Sequence, residues 1–449
     1  MTAQGHVLTR RTIATYAIGS LGTGGFATLP GLVLVYFLTD TLGIAALAAG
    51  LLVTVAKVWD VLIDPVIGAR SDRSLARTGS RRPFMLIGAI ALPVFFVLTF
   101  AVPAGLEPIV SGLWVLVAFT LTATAFSLFQ VPYIALPAEL TDGYDQRTRL
   151  ISVRVVVLTI AILLFGAGGP ALRESFDNEY TGYLVMAIVA GLVIGLGMLV
   201  SSFVAPRGVA IEHTETSIAQ NYRDGLAALR RSQPFRALLL TFALQGLATG
   251  VMLAGAQYVA NWVLESKGAG TFLFLALIGP ALIFAPVWQG VARRIGKERG
   301  FVIASTLFGI AALAMIGLAW APGAWVYLPV ALAGAGYAGM QSLPMAMLPD
   351  VISADAVRHG EGHAGTFSGV WTAGETTGMA LGATVLTIVL AATGYIESTG
   401  ASFGWQSPTA ILGIVLSFSV VPAVLIALSL VSFSRYPLRR ADVEAAVAQ

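Results

Sequence analysis

The chain has 449 residues, of which 57% are hydrophobic and only 11% charged, with a formal net charge of +3 and no cysteine. A soluble domain carries roughly 25% charged residues, so one large water-facing fold is excluded, and the missing cysteines exclude disulfides and thiolate metal sites. Four scattered histidines, His6, His213, His359 and His363, argue against a catalytic metal centre, and nothing in the charge balance implies nucleic acid.

In chain order, the opening MTAQGHVLTRR is polar for too long to be a cleaved signal peptide, and Arg10 and Arg11 read as the anchor before a retained first helix. A membrane-spanning helix needs about 20 mostly apolar residues. Such stretches lie near 13–38, 45–69, 83–104, 109–134, 150–171 and 182–205, and again near 237–263, 270–291, 300–320, 324–349, 363–391 and 408–433. The expectation is an all-α membrane protein of about 12 transmembrane helices in two six-helix, pseudo-symmetric halves. Residues 1–205 form the first half and 206–236 a cytoplasmic central loop. Residues 237–449 form the second half with a short cytoplasmic tail. The central IEHTETSIAQNYRDGLAALRRSQPFR has the pattern of an amphipathic surface helix.

Basic residues test this count. With the N-terminus inside, 22 of the 26 Lys and Arg fall on one side, only Arg173 and Lys267 fall on the other, and Lys57 and Arg154 lie within spans. That asymmetry is the positive-inside signal. It places both termini in the cytoplasm and the protein in a bacterial cytoplasmic (inner) membrane. The loop Gly68-ARSDRSLARTGSRRP after the second span and the loop Gly290-VARRIGKERG after the eighth form a weak internal repeat, the mark of secondary transporters.

The strongest local signal is KVWDVLIDP in the second span. Asp60 and Asp64 are four residues apart and share one helix face. Carboxylates inside a span are costly, roughly 2.5–3.5 kcal/mol each on insertion scales, so a pair implies an aqueous cavity and a bound cation or proton. Pro65 removes a helical hydrogen bond nearby, and Lys57, one turn before Asp60, is placed to neutralise it when no cation is bound. The plainer alternative is an acidic turn that only pairs with Lys57 and a neighbouring helix. Gln130 offers an amide oxygen at membrane depth, beside Pro132 and Pro137. Arg154 is either a cation awaiting an anionic or polyhydroxyl ligand or a snorkelling interface arginine. Glu375, in GTFSGVWTAGETTG, has Trp371 one turn earlier on the same face, an arrangement suited to a sugar ring or a cation, or else is a structural acid among Gly and Thr. Tyr16, Tyr133 and Gln245 are further substrate-binding candidates, though each alone reads as a helix–helix contact before a ligand contact. Asp72, Arg81, Arg82, Glu139 and Arg147 read as ion pairs at the cytoplasmic face that lock one side shut. The run GSLGTGG at 19–25 lacks the lysine of a phosphate loop and reads as close helix packing.

The order WDVLIDPVIGARSD, a basic loop with RRPF, VPYIALPAELTDGYDQRTRLISVR and LPDVISADAVRHGEGHAGTFSGVWTAGE resembles the glycoside–pentoside–hexuronide:cation symporter family of the major facilitator superfamily, over about residues 13–433. The resemblance implies that Asp60 and Asp64 form the cation site, that Gln130 takes the place of a polar or acidic cation-site residue, and that Arg154 matches the family's span-five arginine. It places Asp350, Asp355 and Arg358 in a cytoplasmic gate. The chain departs from the family in three places. No charge lies between Thr12 and Asp40, Gln130 stands where some members have an acid, and Glu375-Thr376-Thr377 stands where many have a lysine. The expected function is symport of a sugar or glycoside-like small molecule driven by H⁺ or Na⁺, with a possible sodium at Asp60 and Asp64, no other cofactor, a lipid bilayer around the chain and no partner subunit. A proton-coupled transporter or exporter of lysolipids or drugs is the alternative. A membrane prenyltransferase with Asp60-VLI-Asp64 holding a diphosphate lacks a well-spaced second motif.

Overall fold

The computed structural model describes residues 8–141, 144–206, 229, 231–266, 268–359, 364–399 and 405–438. Among them the secondary structure is helical, in twelve long elements. These are α1 (Arg10–Thr41), α2 (Ala46–Thr78), α3 (Arg82–Phe100), α4 (Pro108–Leu140), α5 (Tyr144–Glu174), α6 (Glu179–Ser202), α7 (Gln233–Val263), α8 (Ala269–Ile295), α9 (Lys297–Ala319), α10 (Tyr327–His359), α11 (Ala364–Ala392) and α12 (Pro408–Phe433). Eleven are long and apolar enough to cross a membrane. The twelfth, α10, has 33 residues, and its Gly, Tyr, Gln and Pro dilute the hydropathy without shortening the helix. Most of the central 206–236 stretch lies outside the described residues.

Several helices outrun the apolar stretches that announce them. α2 reaches Thr78 rather than 69, α4 reaches Leu140, α5 starts at Tyr144 and α10 runs to His359. At 1.5 Å per residue, the 33 residues of α2 span about 50 Å, against a hydrocarbon thickness of about 30 Å. Arg70, Asp72, Arg73 and Arg77 therefore lie on helix, not loop, because polar residues outside the apolar slab keep good helical propensity. Glycine stops α2. Gly79 sits at φ +67° and its N–H bonds the Leu75 carbonyl at 2.8 Å, a left-handed cap that costs other residues strain. Side-chain oxygens of Thr9, Asn178 and Ser407 accept from the first-turn N–H groups of α1, α6 and α12.

The chain divides into two compact units, Met1–Ile218 with Glu397–Phe403, and Ala219–Ile396 with Gly404–Gln449. In the first, α3 packs on α4 and α6, α1 on α5, and α2 on α4. In the second, α9 packs on α10 and α12, α7 on α11, and α8 on α10. Adding six to each helix number of the first set reproduces the second. Two local features repeat with the packing. Both α1 and α7 end in a five-residue π-helical turn, Phe37–Thr41 and Val259–Val263. Both α4 and α10 carry two prolines five residues apart, Pro132 and Pro137 in one, Pro344 and Pro349 in the other.

The glycine run of α1 works as a packing surface. Gly22 faces Met198 and Gly25 faces Ile194 of α6, and a Cβ at Gly24 would sit 2.7 Å from the Ala161 Cβ of α5. One segment of the first unit comes from far along the chain. Ser398 donates its N–H to the Thr39 carbonyl at 3.1 Å and its hydroxyl to the Asp40 carbonyl at 2.9 Å, and Glu397 Oε1 accepts the Ala46 N–H at 2.7 Å. These bonds satisfy backbone groups at the junction of α1 and α2 that neither helix can satisfy internally.

Candidate functional site

Within the first unit, α2, α4 and α1 bring the acidic pair into a polar cluster. Asp60 is buried, at 8% exposure. Its Oδ1 accepts from the Ser127 hydroxyl of α4 at 3.0 Å, and its Oδ2 lies 3.9 Å from Lys57 Nζ on its own helix. The lysine is held in turn over the Phe26 ring of α1, 5.4 Å from the centroid, and Phe26 stacks on Phe126 of α4 at 4.4 Å. Asp64, one turn further, has a different environment. Its Oδ1 is buried with no hydrogen-bond partner among the described residues. Pro65 follows it and withholds an N–H from the Val61 carbonyl. The two acids are thus unequal. Asp60 holds Lys57 and Ser127 at short range, while Asp64 feels the same two groups less directly and keeps one buried oxygen with no hydrogen-bond partner among the described residues. A buried carboxylate oxygen in that position is satisfied by taking a proton or a hard cation.

Gln130 lies one turn along α4 from Ser127, and its Oε1 accepts from Thr23 of α1 at 2.7 Å. Next to it, Tyr133 stacks on Tyr16 with centroids 4.7 Å apart. Its hydroxyl donates to the Tyr16 carbonyl at 3.0 Å and lies 3.1 Å from Ser20 Oγ, while Ser201 Oγ donates to the same carbonyl at 3.2 Å. Arg154 of α5 places its guanidinium 5.2 Å from the Tyr133 ring centroid. Two polar groups here are buried without a partner among the described residues, the Tyr16 hydroxyl and Arg154 Nε. Three of the expected ligand residues, Tyr16, Tyr133 and Arg154, therefore meet in one cluster with unspent donors.

The other expected ligand residues belong to the second unit. Gln245 of α7 donates from its amide nitrogen to Ser305 of α9 at 2.9 Å and to Ser429 of α12 at 3.3 Å, leaving Oε1 buried with no partner among the described residues. Trp371 is 2% exposed and stacks on Phe242 at 4.3 Å and 18°, inside a buried hydrophobic cluster. Its Nε1 has no hydrogen-bond partner among the described residues. Glu375 is half-buried within electrostatic range of Tyr337 on α10.

The expected gating residues form a network in each unit. Arg81, at 6% exposure, pairs with Asp72 at the end of α2, with Glu139 at the end of α4, and with Ser71 Oγ at 2.9 Å. Arg82, its neighbour, lies over the Phe203 ring at 4.2 Å, and Arg147 donates to the Thr141 carbonyl at 3.1 Å. In the second unit Lys297, at the start of α9, bonds Asp350 at 2.6 Å near the end of α10, and Arg231 bonds Asp355 at 2.6 Å. Arg81–Glu139 and Lys297–Asp350 occupy equivalent places in the two repeats, each joining the start of a third helix to the end of a fourth. Tyr436 lies beside the second network, where burial, with Asp350 and Glu298, pushes its phenol above the usual range. The side chain of Arg358 lies outside the described residues.

Sequence reasoning missed Ser127, Thr23, Ser20 and Phe26. The signal for Ser127 was its position three residues before Gln130, on the same face of α4. Thr23 stood inside a glycine run already explained by packing.

A model of the family described as "MFS/sugar transport protein" matches residues 15–440. The glucuronide carrier protein homolog of Escherichia coli strain K12 is 27% identical over 96% of this chain and 93% of its own length. The isoprimeverose transporter of Lactiplantibacillus pentosus is 24% identical over 97% and 91%. The sodium-dependent lysophosphatidylcholine symporter 1-A of Danio rerio is 25% identical over 94% and 85%. Among solved structures, the chain resembles that of a D-xylose-proton symporter, with a TM-score of 0.68 at 14% identity, covering 95% of this chain and 98% of the other.

Proposed function

The chain belongs to the MFS/sugar transport protein family of multi-pass membrane transporters, and from that premise we propose that it is a cation-coupled symporter of a sugar or glycoside-like small molecule, working by alternating access. The observation that carries the coupling half of this reading is the inequality of Asp60 and Asp64. Asp60 is already compensated by Lys57 and Ser127, so the second carboxylate, with its unpartnered oxygen, takes the coupling ion. Loading removes a buried charge, and the loaded carrier then reorients more readily than the empty one. The donors present, two carboxylates and a hydroxyl, suit a proton or sodium, and the Lys57 ammonium close by opposes the binding of either. No cofactor beyond that ion enters the mechanism.

The substrate half rests on Tyr16, Tyr133 and Arg154. Stacked aromatic faces and an arginine with an unspent N–H match a sugar ring carrying hydroxyl or carboxylate groups. Relatives named for glucuronide and isoprimeverose transport support the class. A second reading, transport of a lysolipid, is favoured by one feature, the uncharged stretch of α1 between Thr12 and Asp40, together with the fish relative named for lysophosphatidylcholine. The Arg81 and Lys297 networks act in this scheme as gates, and the positive-inside pattern puts them at the cytoplasmic face of a bacterial inner membrane.

The test is uptake into proteoliposomes under an imposed proton or sodium gradient, with a panel of glucuronides, xylosides and lysophosphatidylcholine. Asp60→Asn and Asp64→Asn are compared with the unaltered protein. Gradient-driven uptake that both substitutions abolish, in protein that stays folded, upholds the proposal. Uptake by both variants at the unaltered rate under each gradient refutes the role of the pair.

A further inference from the structure

The second unit carries a groove of about 650 Å³ between α7, α11 and the end of α12. Its long walls are apolar. α7 contributes Leu240, Leu244 and Leu247, and α11 contributes Gly374, Thr377 and Leu381 at helical spacing. The small residues on α11 make the concavity, because the two helices already touch beneath them. A Cβ at Gly374 would stand 2.6 Å from the Leu239 Cδ1. Among the described residues no carboxylate lines the groove, and the cations that line it lie at one end. They are Arg236, in the first turn of α7, and Arg435, just beyond α12. Both are exposed, and Arg236 also donates to the Leu229 carbonyl at 3.4 Å.

Length identifies the occupant. From Arg236 to Leu247 the α7 axis rises about 16 Å at 1.5 Å per residue. That is half of the about 30 Å hydrocarbon core, one leaflet deep. A polar end with two guanidinium groups and an apolar trough one leaflet long match the two ends of a phospholipid whose headgroup is anionic. Guanidinium forks pair with phosphate oxygens in a bidentate manner that an isolated cation does not reproduce. The groove is also separate from the acid on the same helix. Gly374, Thr377 and Leu381 face it, while Glu375 lies toward Tyr337 of α10.

We propose that this groove binds one anionic phospholipid of the surrounding leaflet, its phosphate between Arg236 and Arg435 and an acyl chain along α7 and α11. The site does not depend on what the protein carries, and a lipid held there braces α11, the helix of Trp371 and Glu375.

The test is native mass spectrometry of the full chain released from detergent containing equal phosphatidylglycerol and phosphatidylcholine. The unaltered protein retains phosphatidylglycerol preferentially. Arg236→Gln with Arg435→Gln lowers that preference about thirty-fold, the ratio expected when each basic residue near an anionic lipid surface contributes about 1 kcal/mol. Arg236→Lys with Arg435→Lys keeps the charge but not the bidentate fork, and recovers only part of it. Thr377→Trp, with both arginines intact, lowers retention by filling the trough. Equal retention of the two lipids by the unaltered protein overturns the proposal. So does a preference that survives the double glutamine change, or full retention in Thr377→Trp. Thermal unfolding of each variant in lipid-free detergent, unchanged from the parent, separates loss of the site from loss of the fold.

Discussion

Replacing Lys57 with methionine removes the counter-charge of Asp60 while keeping an apolar stem of similar length over Phe26. At the observed 3.9 Å and an effective dielectric of about 20, the gross attraction between the two charges is about 4 kcal/mol. The lysine side chain is 24% exposed, so solvent screening takes about half, leaving about 2 kcal/mol. In the parent protein an incoming cation meets two carboxylates and an ammonium. In Lys57→Met it meets the carboxylates alone, so its half-saturating concentration falls by about thirty-fold. The assay needs no substrate. Ligand binding to the folded state raises thermal stability by RT ln(1 + [L]/Kd), so unfolding in detergent is followed against NaCl at fixed pH and against pH at fixed salt. The variant also starts less stable than the parent when no cation is present, because Asp60 is then buried and uncompensated. Lys57→Arg restores the parent's titration. Identical half-effects for parent and Lys57→Met, with both ions, would show that the ammonium does not compete at this site, and the account of coupling would fail with it.

Three further outcomes follow from the same geometry. Asp60→Asn strands the Lys57 ammonium and lowers stability by about 3 kcal/mol, whereas Asp64→Asn removes a carboxylate with an unpartnered buried oxygen and leaves stability unchanged or raised; apparent melting temperatures of the two variants check the split. Arg81→Ala leaves Glu139 without its cation and costs about 3–5 kcal/mol, and Asp72→Ala costs under 1 kcal/mol because that carboxylate is 48% exposed, a contrast read from chemical denaturation in detergent. Gly24→Val drives a side chain into Ala161 and destabilises by about 1–3 kcal/mol, seen as a lower melting temperature that Ala161→Gly partly restores.

Helix count and the two-half plan were legible because membrane burial writes hydrophobic runs directly into the sequence. Helix length was not, since residues such as Asp72 and Arg77 are polar yet helical, and hydropathy reports the slab rather than the helix. α10 is legible as a span near 324–349 although its glycines and prolines thin the apolar signal, and the structure makes it a full-length helix. At the site, Asp60 and Asp64 stood out because carboxylates in a span are rare. Ser127 and Thr23 did not, because small hydroxyl residues are common in spans and only the approach of α1 and α4 selects those two. Pattern alone also cannot rank neighbours. Arg81 and Arg82 look alike in sequence, yet one holds two carboxylates and the other an aromatic ring. Trp371 and Glu375 share a helix face by spacing, but the indole packs on Phe242 within the core.

The two structural units are not the two halves of the coding sequence. Residues 397–399 supply an acceptor for the Ala46 N–H and donors for the Thr39 and Asp40 carbonyls. A fragment that stops in the central loop therefore lacks the three hydrogen bonds this segment gives to the junction of α1 and α2. Co-expression of the halves as separate polypeptides would need the second to deliver this short segment before the first is complete. Split-protein reporters or circular permutants of this transporter are better cut within 206–232 than at residues 397–399, whose hydrogen bonds tie them to the junction of α1 and α2.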